Sequence, residues 1–224
     1  MSITICLLNW KRPKNLRRII DRLAGQTLRP TIFLWNNAPE PFHHAAIDWQ
    51  VDSTRNVLCP PRWWMATQAS TQFVASLDDD LIPADERVLE DAVSVAHKQP
   101  ADRAVGPFGV ILRPGQPYFP HDDVRCPAED TLVDLVQGRC LIVRTETLWA
   151  ALRMGDLCGP VGAEDDIAVC GALAGDRRRY HLVPRVFHRR FWPLREGDEA
   201  LWRQPDHARR RQTARQRWFP ERNS

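Results

Sequence analysis

The sequence predicts an α/β fold, with a central and mostly parallel sheet covered by helices on both faces. Short apolar segments alternate with segments of helical periodicity through the first third of the chain, as expected for successive βαβ units. Glycine and proline residues separate these segments and mark the connections between them. A length of 224 residues, 43% of them hydrophobic, suits one compact domain, with room for a short tail.

The elements of the first third follow in order. Residues 3–8 form an apolar strand, and Pro13 suits the first position of the helix after it. That helix, at residues 15–23, places four apolar side chains at helical spacing: Leu16, Ile19, Ile20 and Leu23. Further elements are predicted as strands at 31–35, near Val51 or at 56–58, and at 73–77, and as a helix beginning after Pro60 and Pro61.

The second half is less regular. Residues 106–128 are rich in proline and predict a loop-rich insertion. Beyond it the pattern predicts strands at 132–136 and 141–143, helices at 145–154 and 163–174, and a polar terminal helix at 197–217. We therefore predict a folded domain at residues 1–196 and a basic, arginine-rich C-terminal helix or tail at residues 197–224.

Charge and cysteine usage narrow the class of protein. Between Trp202 and Arg222 seven arginines face two acidic residues, so the end of the chain is basic although the net charge is only +3. No segment approaches the roughly 18 consecutive apolar residues of a membrane span, and the run at 3–8 is too short for a secretory signal. We expect a cytoplasmic protein without a transmembrane anchor. The six cysteines contain no C-x-x-C pair, which favours free thiols over a zinc site.

Polar side chains follow three of the predicted strands. Asn9 and Arg12 come after the first strand, Asn36 and Asn37 after the second, and Asp78–Asp80 directly after the strand at 73–77. The carboxyl ends of parallel strands meet at one edge of a sheet, and ligands bind there. The sequence therefore predicts a binding site at this edge.

The aspartate triplet Asp78–Asp80 has two interpretations. Three adjacent carboxylates repel one another unless a cation lies among them, which favours a hard divalent ion with oxygen ligands, Mn²⁺ or Mg²⁺. Alternatively, the triplet caps a helix that begins near Ala84. The spacing alone leaves both interpretations open.

Four segments, taken in order, carry a resemblance to a known family. They are ITICLLNWKRPKNLRRII at residues 3–20, FLWNN at 33–37, FVASLDDDL at 73–81 and AEDDIAV at 163–169. Together they resemble the GT-A fold glycosyltransferases, closest to the exostosin-like group, over roughly residues 3–190. The resemblance implies a Rossmann-like, three-layer α/β/α GT-A fold. It also implies transfer of a sugar from a nucleotide-diphosphate donor, a UDP-sugar, to an acceptor hydroxyl with Mn²⁺ or Mg²⁺.

The resemblance also implies roles for individual residues. Asp80 would bind the metal, and Asp78 would approach the ribose as well as the metal. A C-terminal histidine often supplies a further metal or phosphate contact, and His188 is the candidate, with His181 in reserve. The residues implied to bind the nucleotide sugar are Asn9, Arg12, Asn36, Arg62, Asp78 and Asp79.

The late acidic segment is the candidate for catalysis. A carboxylate at this place in GT-A folds faces the acceptor hydroxyl or the reacting sugar, where it can take a proton. Alignment on the following Ile-Ala selects Asp165 and Asp166, whereas the family's acidic pair selects Glu164 and Asp165, so Asp165 is the first choice as base. The structural alternative is an acidic helix N-terminus. The segment before it departs from the family, with one glycine in Gln137–Cys140, which leaves the acceptor side open.

The acceptor and two other functions remain as alternatives. The basic tail, with Trp202 and Trp218, suits DNA that bears hydroxylated bases, and the other acceptor is a surface glycan or lipid-linked sugar. A sugar nucleotidylyltransferase would share the sheet, but it would need a glycine-rich loop where Trp10–Pro13 stands. A non-catalytic nucleic-acid-binding protein would leave the acidic motifs unexplained.

Overall fold

A computed structural model describes residues 1–53, 55–119, 121–151, 164–195 and 200–220. The strands of the described part are β1 (Ile3–Asn9), β2 (Thr31–Asn36), β3 (Trp49–Asp52), β4 (Phe73–Leu77), β5 (Leu81–Pro83), β6 (Phe108–Ile111), β7 (Asp122–Arg125), β8 (Thr131–Val133), β9 (Leu135–Val136), β10 (Cys140–Arg144), β11 (His181–Val183) and β12 (Phe191–Pro193). The helices are α1 (Pro13–Ala24), α2 (Pro61–Ala66), α3 (Val88–His97), α4 (Thr145–Ala151), α5 (Asp165–Ala174) and α6 (His207–Trp218).

The central sheet has the strand order β10-β4-β1-β2-β3. Four of its strands are parallel, and β10 pairs antiparallel with β4 at one edge. The predicted, mostly parallel sheet is confirmed. Its parallel strands are joined by crossover connections instead of hairpins. The carboxyl ends of β1, β2 and β4 therefore lie side by side.

Two hydrophobic cores cover the two faces of this sheet. Alternate residues of β1 point to opposite faces, so that Ile5 and Leu7 belong to one core and Cys6 to the other. The apolar stripe of α1 packs with α3 on the first face, where Leu16, Ile19, Ile20 and Leu23 are fully buried. Helices α2 and α5 cover the second face. These layers confirm the predicted α/β/α architecture.

The second half contains more strand than its sequence suggests. Residues 106–128, predicted as a loop-rich insertion, contain β6 and β7, which pair antiparallel. The strand predicted at 132–136 is two strands: β8 pairs with β11, and β9 pairs with β6. Buried Asp134 lies between them and accepts backbone N–H groups from Leu112 and Arg179. One carboxylate thus replaces ladder hydrogen bonds where the strand changes partner.

The basic C-terminal segment forms helix α6, which packs against α5. The approach is close: a Cβ on Gly171 of α5 would lie 2.6 Å from the Cβ of Trp218. Two arginines of the helix, Arg211 and Arg215, are buried, so this helix is not a solvated tail on its inner face. The domain boundary at 196 lies outside the described residues and stays a prediction, as do the predicted helix end at Met154 and helix start at Ala163.

Two absences hold for the described part of the chain. Its five cysteines are free thiols, and Cys158 lies outside it. None of its helices combines the length and the apolar character that crossing a membrane requires.

Candidate active site

A cavity of about 1070 Å³ opens at the carboxyl ends of the parallel strands. The loops after β1 and β4 line it, together with the N-termini of α2 and α5 and the inner face of α6. Two acidic groups meet there. The first acidic group is Asp78–Asp80, directly after β4, and the second acidic group is Glu164–Asp166, where α5 begins.

Strand β5 begins directly after Asp80, and the next helix begins at Val88, so the alternative that this triplet caps a helix near Ala84 is wrong.

Each carboxylate of the first acidic group has an arginine partner. The partners come from three separate segments. They are Arg62 with Asp78 at 2.7 Å, Arg12 with Asp79 at 2.7 Å, and Arg139 with Asp80 at 3.1 Å.

Burial, and to a smaller extent the neighbouring carboxylates, disfavour the negative charge of Asp78 and Asp79. Burial raises the pKa of Asp79 to about 7, although Arg12 beside it acts in the opposite direction. Burial also raises the pKa of Asp78, against Arg62, while the Asp78 side chain keeps 33% of its surface exposed. A further positive charge at this place would relieve the repulsion among the three groups.

The residues present fit a hard divalent ion that shares its ligands with a diphosphate. Asp78 and Asp80 both line the cavity and offer only oxygen, the ligand that Mg²⁺ and Mn²⁺ prefer. Within the described ranges, no three acidic, histidine or cysteine side chains are arranged as a complete metal site. One or two carboxylates are sufficient where substrate phosphates supply the other ligands.

The second acidic group is more deeply buried. Asp166 forms a bidentate pair with Arg211 of α6, at 2.9 and 3.1 Å, and accepts the backbone N–H of Gly138. Glu164 accepts from Arg211 at 2.9 Å and from Arg210 at 3.1 Å. Although burial opposes ionisation of Asp166, Arg211 and the Gly138 N–H outweigh it and lower its pKa.

Arg62 connects the two acidic groups. It donates to both carboxylate oxygens of Asp165, at 2.5 and 2.9 Å, and to Asp78 at 2.7 Å. A further bond goes to the carbonyl oxygen of Gly138. Arg62 is only 4% exposed, so its guanidinium is a fixed bridge between the groups. The predicted nucleotide-sugar contact of Arg62 stays a prediction.

Asp165 is held in a single orientation. Its Oδ2 accepts from Arg62 and from the indole of Trp63 at 2.6 Å, whereas its Oδ1 accepts one bond, from Arg62, among the described residues. Burial raises the pKa of Asp165, against the pairing with Arg62. A carboxylate with a raised pKa and a lone pair left on Oδ1 suits a general base.

The predicted asparagines lie beneath the cavity. Asn9 donates to Asn36 at 2.7 Å, and Asn36 donates to Asp52 at 2.9 Å, which links the ends of β1, β2 and β3. Both asparagines are buried. Asn37, rather than Asn9 or Asn36, is the asparagine after β2 that lines the cavity.

The structure does not bring the two candidate histidines to the site. His188 is exposed, its Nδ1 lies 2.8 Å from the carbonyl oxygen of Cys126, and it does not line the cavity. His181 is buried, with ring nitrogens 3.1 Å from the backbone N of Ala104 and 2.9 Å from the carbonyl oxygen of Cys170. Burial lowers its pKa to about 4, so it is a neutral core residue.

Several residues of the site have no predicted role, among them Arg139, Tyr118 and Arg211. Tyr118 accepts a hydrogen bond from Arg211 at 2.7 Å, and burial raises the pKa of its hydroxyl to about 12. The signal for Arg211 was present in the sequence, because Arg211, Ala214, Arg215 and Trp218 recur at helical spacing and define one face of α6. Three acidic residues at a buried helix start need such counterions.

Comparison with known proteins supports the fold. No protein-family model matches the chain, and no curated protein matches it. Among solved structures it is similar to a mannosyltransferase from Pyrobaculum calidifontis in complex with GDP-Man and Mn²⁺, with a TM-score of 0.54 and 14% identity. The match covers 82% of this chain and 54% of that enzyme, so the chain spans about half of the enzyme's length. This likeness shows that the chain shares the α/β fold of that enzyme; the glycosyltransferase activity and the exostosin-like group stay predictions.

Proposed function

We propose that this chain is a metal-dependent glycosyltransferase that moves a sugar from a nucleotide-diphosphate donor to an acceptor hydroxyl. The observation that carries the proposal is the pair of acidic groups in one cavity at the carboxyl edge of the sheet, bridged by Arg62. The first group has partly exposed carboxylates and nearby arginines, as donor binding requires. The second has an oriented carboxylate, as acceptor activation requires.

The first acidic group is the proposed donor site. Asp78 and Asp80 would hold Mn²⁺ or Mg²⁺, which when bound would neutralise charge on the departing diphosphate. Arg12 and Arg139 each reach an aspartate from the cavity wall, and both can donate to phosphate oxygens in charge-assisted bonds. Asp79, held by Arg12, keeps that arginine in place. The loops after β2 and β3, which contain Asn37 and Asn56, line the adjoining part of the cavity and are proposed to receive the nucleotide.

The second acidic group is the proposed acceptor side. Asp165 is oriented by Arg62 and Trp63, and its Oδ1 would accept the proton of the acceptor hydroxyl. Asp166 and Glu164 hold Arg211 beside it. The arginines in turn reduce the repulsion between Asp165 and the donor carboxylates, so that both groups can lie within one cavity.

Two nucleotide sugars are candidate donors, and two classes of hydroxyl are candidate acceptors. A UDP-sugar is our first choice of donor, and GDP-mannose is the second because the similar mannosyltransferase was solved with GDP-Man and Mn²⁺. The acceptor hydroxyl belongs either to a glycan or lipid-linked sugar or to a hydroxylated base in DNA. The contacts of α6 favour the sugar, as argued below.

Donor binding tests the proposal directly. We expect one nucleotide sugar, from a panel of UDP- and GDP-sugars, to raise the melting temperature in the presence of Mn²⁺, because a ligand of the native state stabilises it. EDTA should abolish the shift, and so should Asp80→Ala. The proposal is wrong if no nucleotide sugar shifts the transition, or if the shift survives both EDTA and the substitution. Release of pyrophosphate from a nucleoside triphosphate and a sugar phosphate would indicate a nucleotidylyltransferase instead.

A further inference from the structure

An aromatic wall lies in the cavity on the side of the second acidic group. Phe119 is 40% exposed and Trp202 is 58% exposed, and both line the cavity. Phe119 packs edge-on against Tyr118, with ring centroids 4.7 Å apart, and lies 4.8 Å from the ring of His121. His207 of α6 lies behind it, at 6.0 Å. The aromatic wall is defined as Phe119, Trp202, His121 and His207.

The aromatic wall connects to the proposed acceptor side through direct contacts. Tyr118 precedes Phe119, and its hydroxyl accepts from Arg211, which in turn holds Asp166. Burial, with Arg211 and Arg210 nearby, lowers the pKa of His207 to about 4, so this ring is neutral at neutral pH. The wall thus presents ring faces, with His207 neutral, next to the oriented carboxylates, while His121 lies 3.1 Å from Asp123.

Polar groups that suit hydroxyls lie at the edge of the wall. Asp123 lines the cavity, with a side chain that is 33% exposed, and it holds Arg125 at 2.6 Å and Gln137 at 3.2 Å. A carboxylate only accepts hydrogen bonds, so it attracts sugar hydroxyls and repels phosphodiesters. Apolar ring faces beside acceptors and amides match a pyranose, which has a C–H face and a rim of hydroxyls.

Three inner arginines of α6, Arg210, Arg211 and Arg215, are not available to phosphates at this place, although Arg209 on the same helix is 80% exposed. Arg211 is committed to Glu164, Asp166 and Tyr118, and Arg210 pairs with Glu164 and Asp206. Arg215 donates to backbone carbonyl oxygens of the loop that contains Gln116. Binding of DNA relies on basic side chains that are available to phosphates, and the inward arginines of this helix already hold protein groups.

We infer that the aromatic wall is the acceptor subsite and that it takes a pyranose ring of a glycan, stacked on Phe119 and Trp202 with its hydroxyls toward Asp123. The inference rests on the proposed function for its place in a transfer reaction, but binding of the sugar ring can be measured without transfer. It assigns to Phe119 and Asp123 a role that the sequence did not indicate, and to Trp202 a sugar ring in place of a nucleic-acid base.

Saturation-transfer difference NMR on the full chain tests the inference. The probes are the methyl glycosides of mannose, glucose, galactose and N-acetylglucosamine, whose aglycone cannot itself stack, in the presence of Mg²⁺ with UDP or GDP. We expect saturation transfer from the protein to at least one methyl glycoside. Phe119→Ala and Trp202→Ala should each reduce this signal about five- to tenfold, in line with the loss of an aromatic contact. Trp192→Ala is the matched control, because Trp192 is 54% exposed but lies outside the cavity lining.

The outcomes separate this inference from the proposed function. Unchanged affinity of both variants for the nucleotide sugar, by calorimetry, would place the aromatic wall outside the donor site and support the inference. It is overturned if no methyl glycoside receives saturation, if Trp192→Ala reduces the signal equally, or if an oligonucleotide with 5-hydroxymethylcytosine binds the wall in place of the glycosides. Circular dichroism melts of each variant exclude misfolding as the cause of a lost signal. If donor binding alone fails, the proposed function is wrong, whereas binding of the glycoside at the aromatic wall still supports the sugar subsite.

Discussion

The two acidic groups of the cavity have similar composition but different surroundings. In the first group the side chains of Asp78 and Asp79 are 33% and 16% exposed, and the partner Arg139 is 27% exposed. In the second group Glu164 and Asp165 are each 2% exposed. The first group therefore faces the cavity with countercharges that solvent reaches, whereas the second is enclosed by its arginines.

The difference distinguishes charges that a ligand can reach from charges that chiefly stabilise the fold, and Asp165, which also lines the cavity, belongs to both. A partly exposed ion pair is worth little to stability, so Arg139 can exchange an aspartate for a phosphate at low cost. A buried carboxylate that loses its arginine retains an uncompensated charge. We therefore expect substitutions in the first group to affect binding and turnover, and substitutions in the second group to affect folding first.

The largest expected effect is on stability, from Arg211→Ala. This change leaves Glu164 and Asp166 buried without their main partner, and it removes the hydrogen bond to Tyr118. We expect the free energy of unfolding to fall by about 3–5 kcal/mol, measured by urea denaturation. The control is Arg209→Ala on the same helix, with a side chain that is 80% exposed, for which we expect a change within about 0.5 kcal/mol. Equal effects of the two substitutions would contradict the structural role of the second group.

The position of the first acidic group could be predicted from the sequence because its signals are local, whereas its donor role stays a proposal. A buried strand that ends on three aspartates places them at the sheet edge whatever the rest of the chain does, and β4 ends at Leu77 as its pattern indicates. The apolar spacing in α1 likewise needs no tertiary information, since one helix face carries all four buried residues. The asparagines and the histidine candidate were misplaced: the structure puts Asn9 and Asn36 under the cavity floor, joined to each other, and leaves His188 outside the cavity lining.

The rest of the site depends on contacts between distant segments. Arg62 and Asp165 are 103 residues apart, and Tyr118 and Arg211 are 93 apart, so no window of sequence contains either pair. The excess of arginine near the C-terminus indicated DNA, although Arg211 is buried against carboxylates and Arg215 against backbone carbonyl oxygens. The change of strand partner at Asp134 could not be predicted either, because it depends on the backbone N–H groups of Leu112 and Arg179, which belong to distant segments.

The next largest effect is expected on turnover, from Asp80→Ala in the first acidic group. Loss of this oxygen ligand should reduce metal-stimulated turnover of the nucleotide sugar by about 10²–10³-fold, the scale for loss of one electrostatic contact to a developing charge. The fold should survive, because Arg12 keeps its pair with Asp79. Turnover at a series of Mn²⁺ concentrations, with Asp122→Ala as a control outside the cavity lining, checks this. Full activity of the variant in EDTA would remove the metal from the proposal.

Gly138→Ala tests the boundary between the two groups. A Cβ at this position would lie 2.8 Å from Nη2 of Arg62 and 3.3 Å from the Cβ of Asp166. The Arg62 guanidinium is buried and donates to both Asp78 and Asp165, so it has little room to move. We therefore expect overpacking to cost about 1–3 kcal/mol of stability. The matched control is Gly25→Ala, whose Cβ would lie 3.7 Å from its nearest neighbour. If both glycine variants unfold at the same urea concentration, Arg62 is not the rigid bridge that the geometry indicates.

The smallest expected effect is also the sharpest test of the comparison, because it separates binding from folding in one residue. Arg139→Ala removes a partly exposed partner of Asp80, which retains Arg12 at 3.5 Å. We expect stability to change by less than about 1 kcal/mol, whereas affinity for the nucleotide sugar should fall about tenfold through loss of a charge-assisted phosphate contact. Calorimetric titrations at two salt concentrations check this, since the wild-type affinity should fall more steeply with added salt than that of the variant. If Arg139→Ala instead destabilised the protein as much as Arg211→Ala, exposure would not distinguish the two groups, and the division between charges for the ligand and charges for the fold would have to be abandoned.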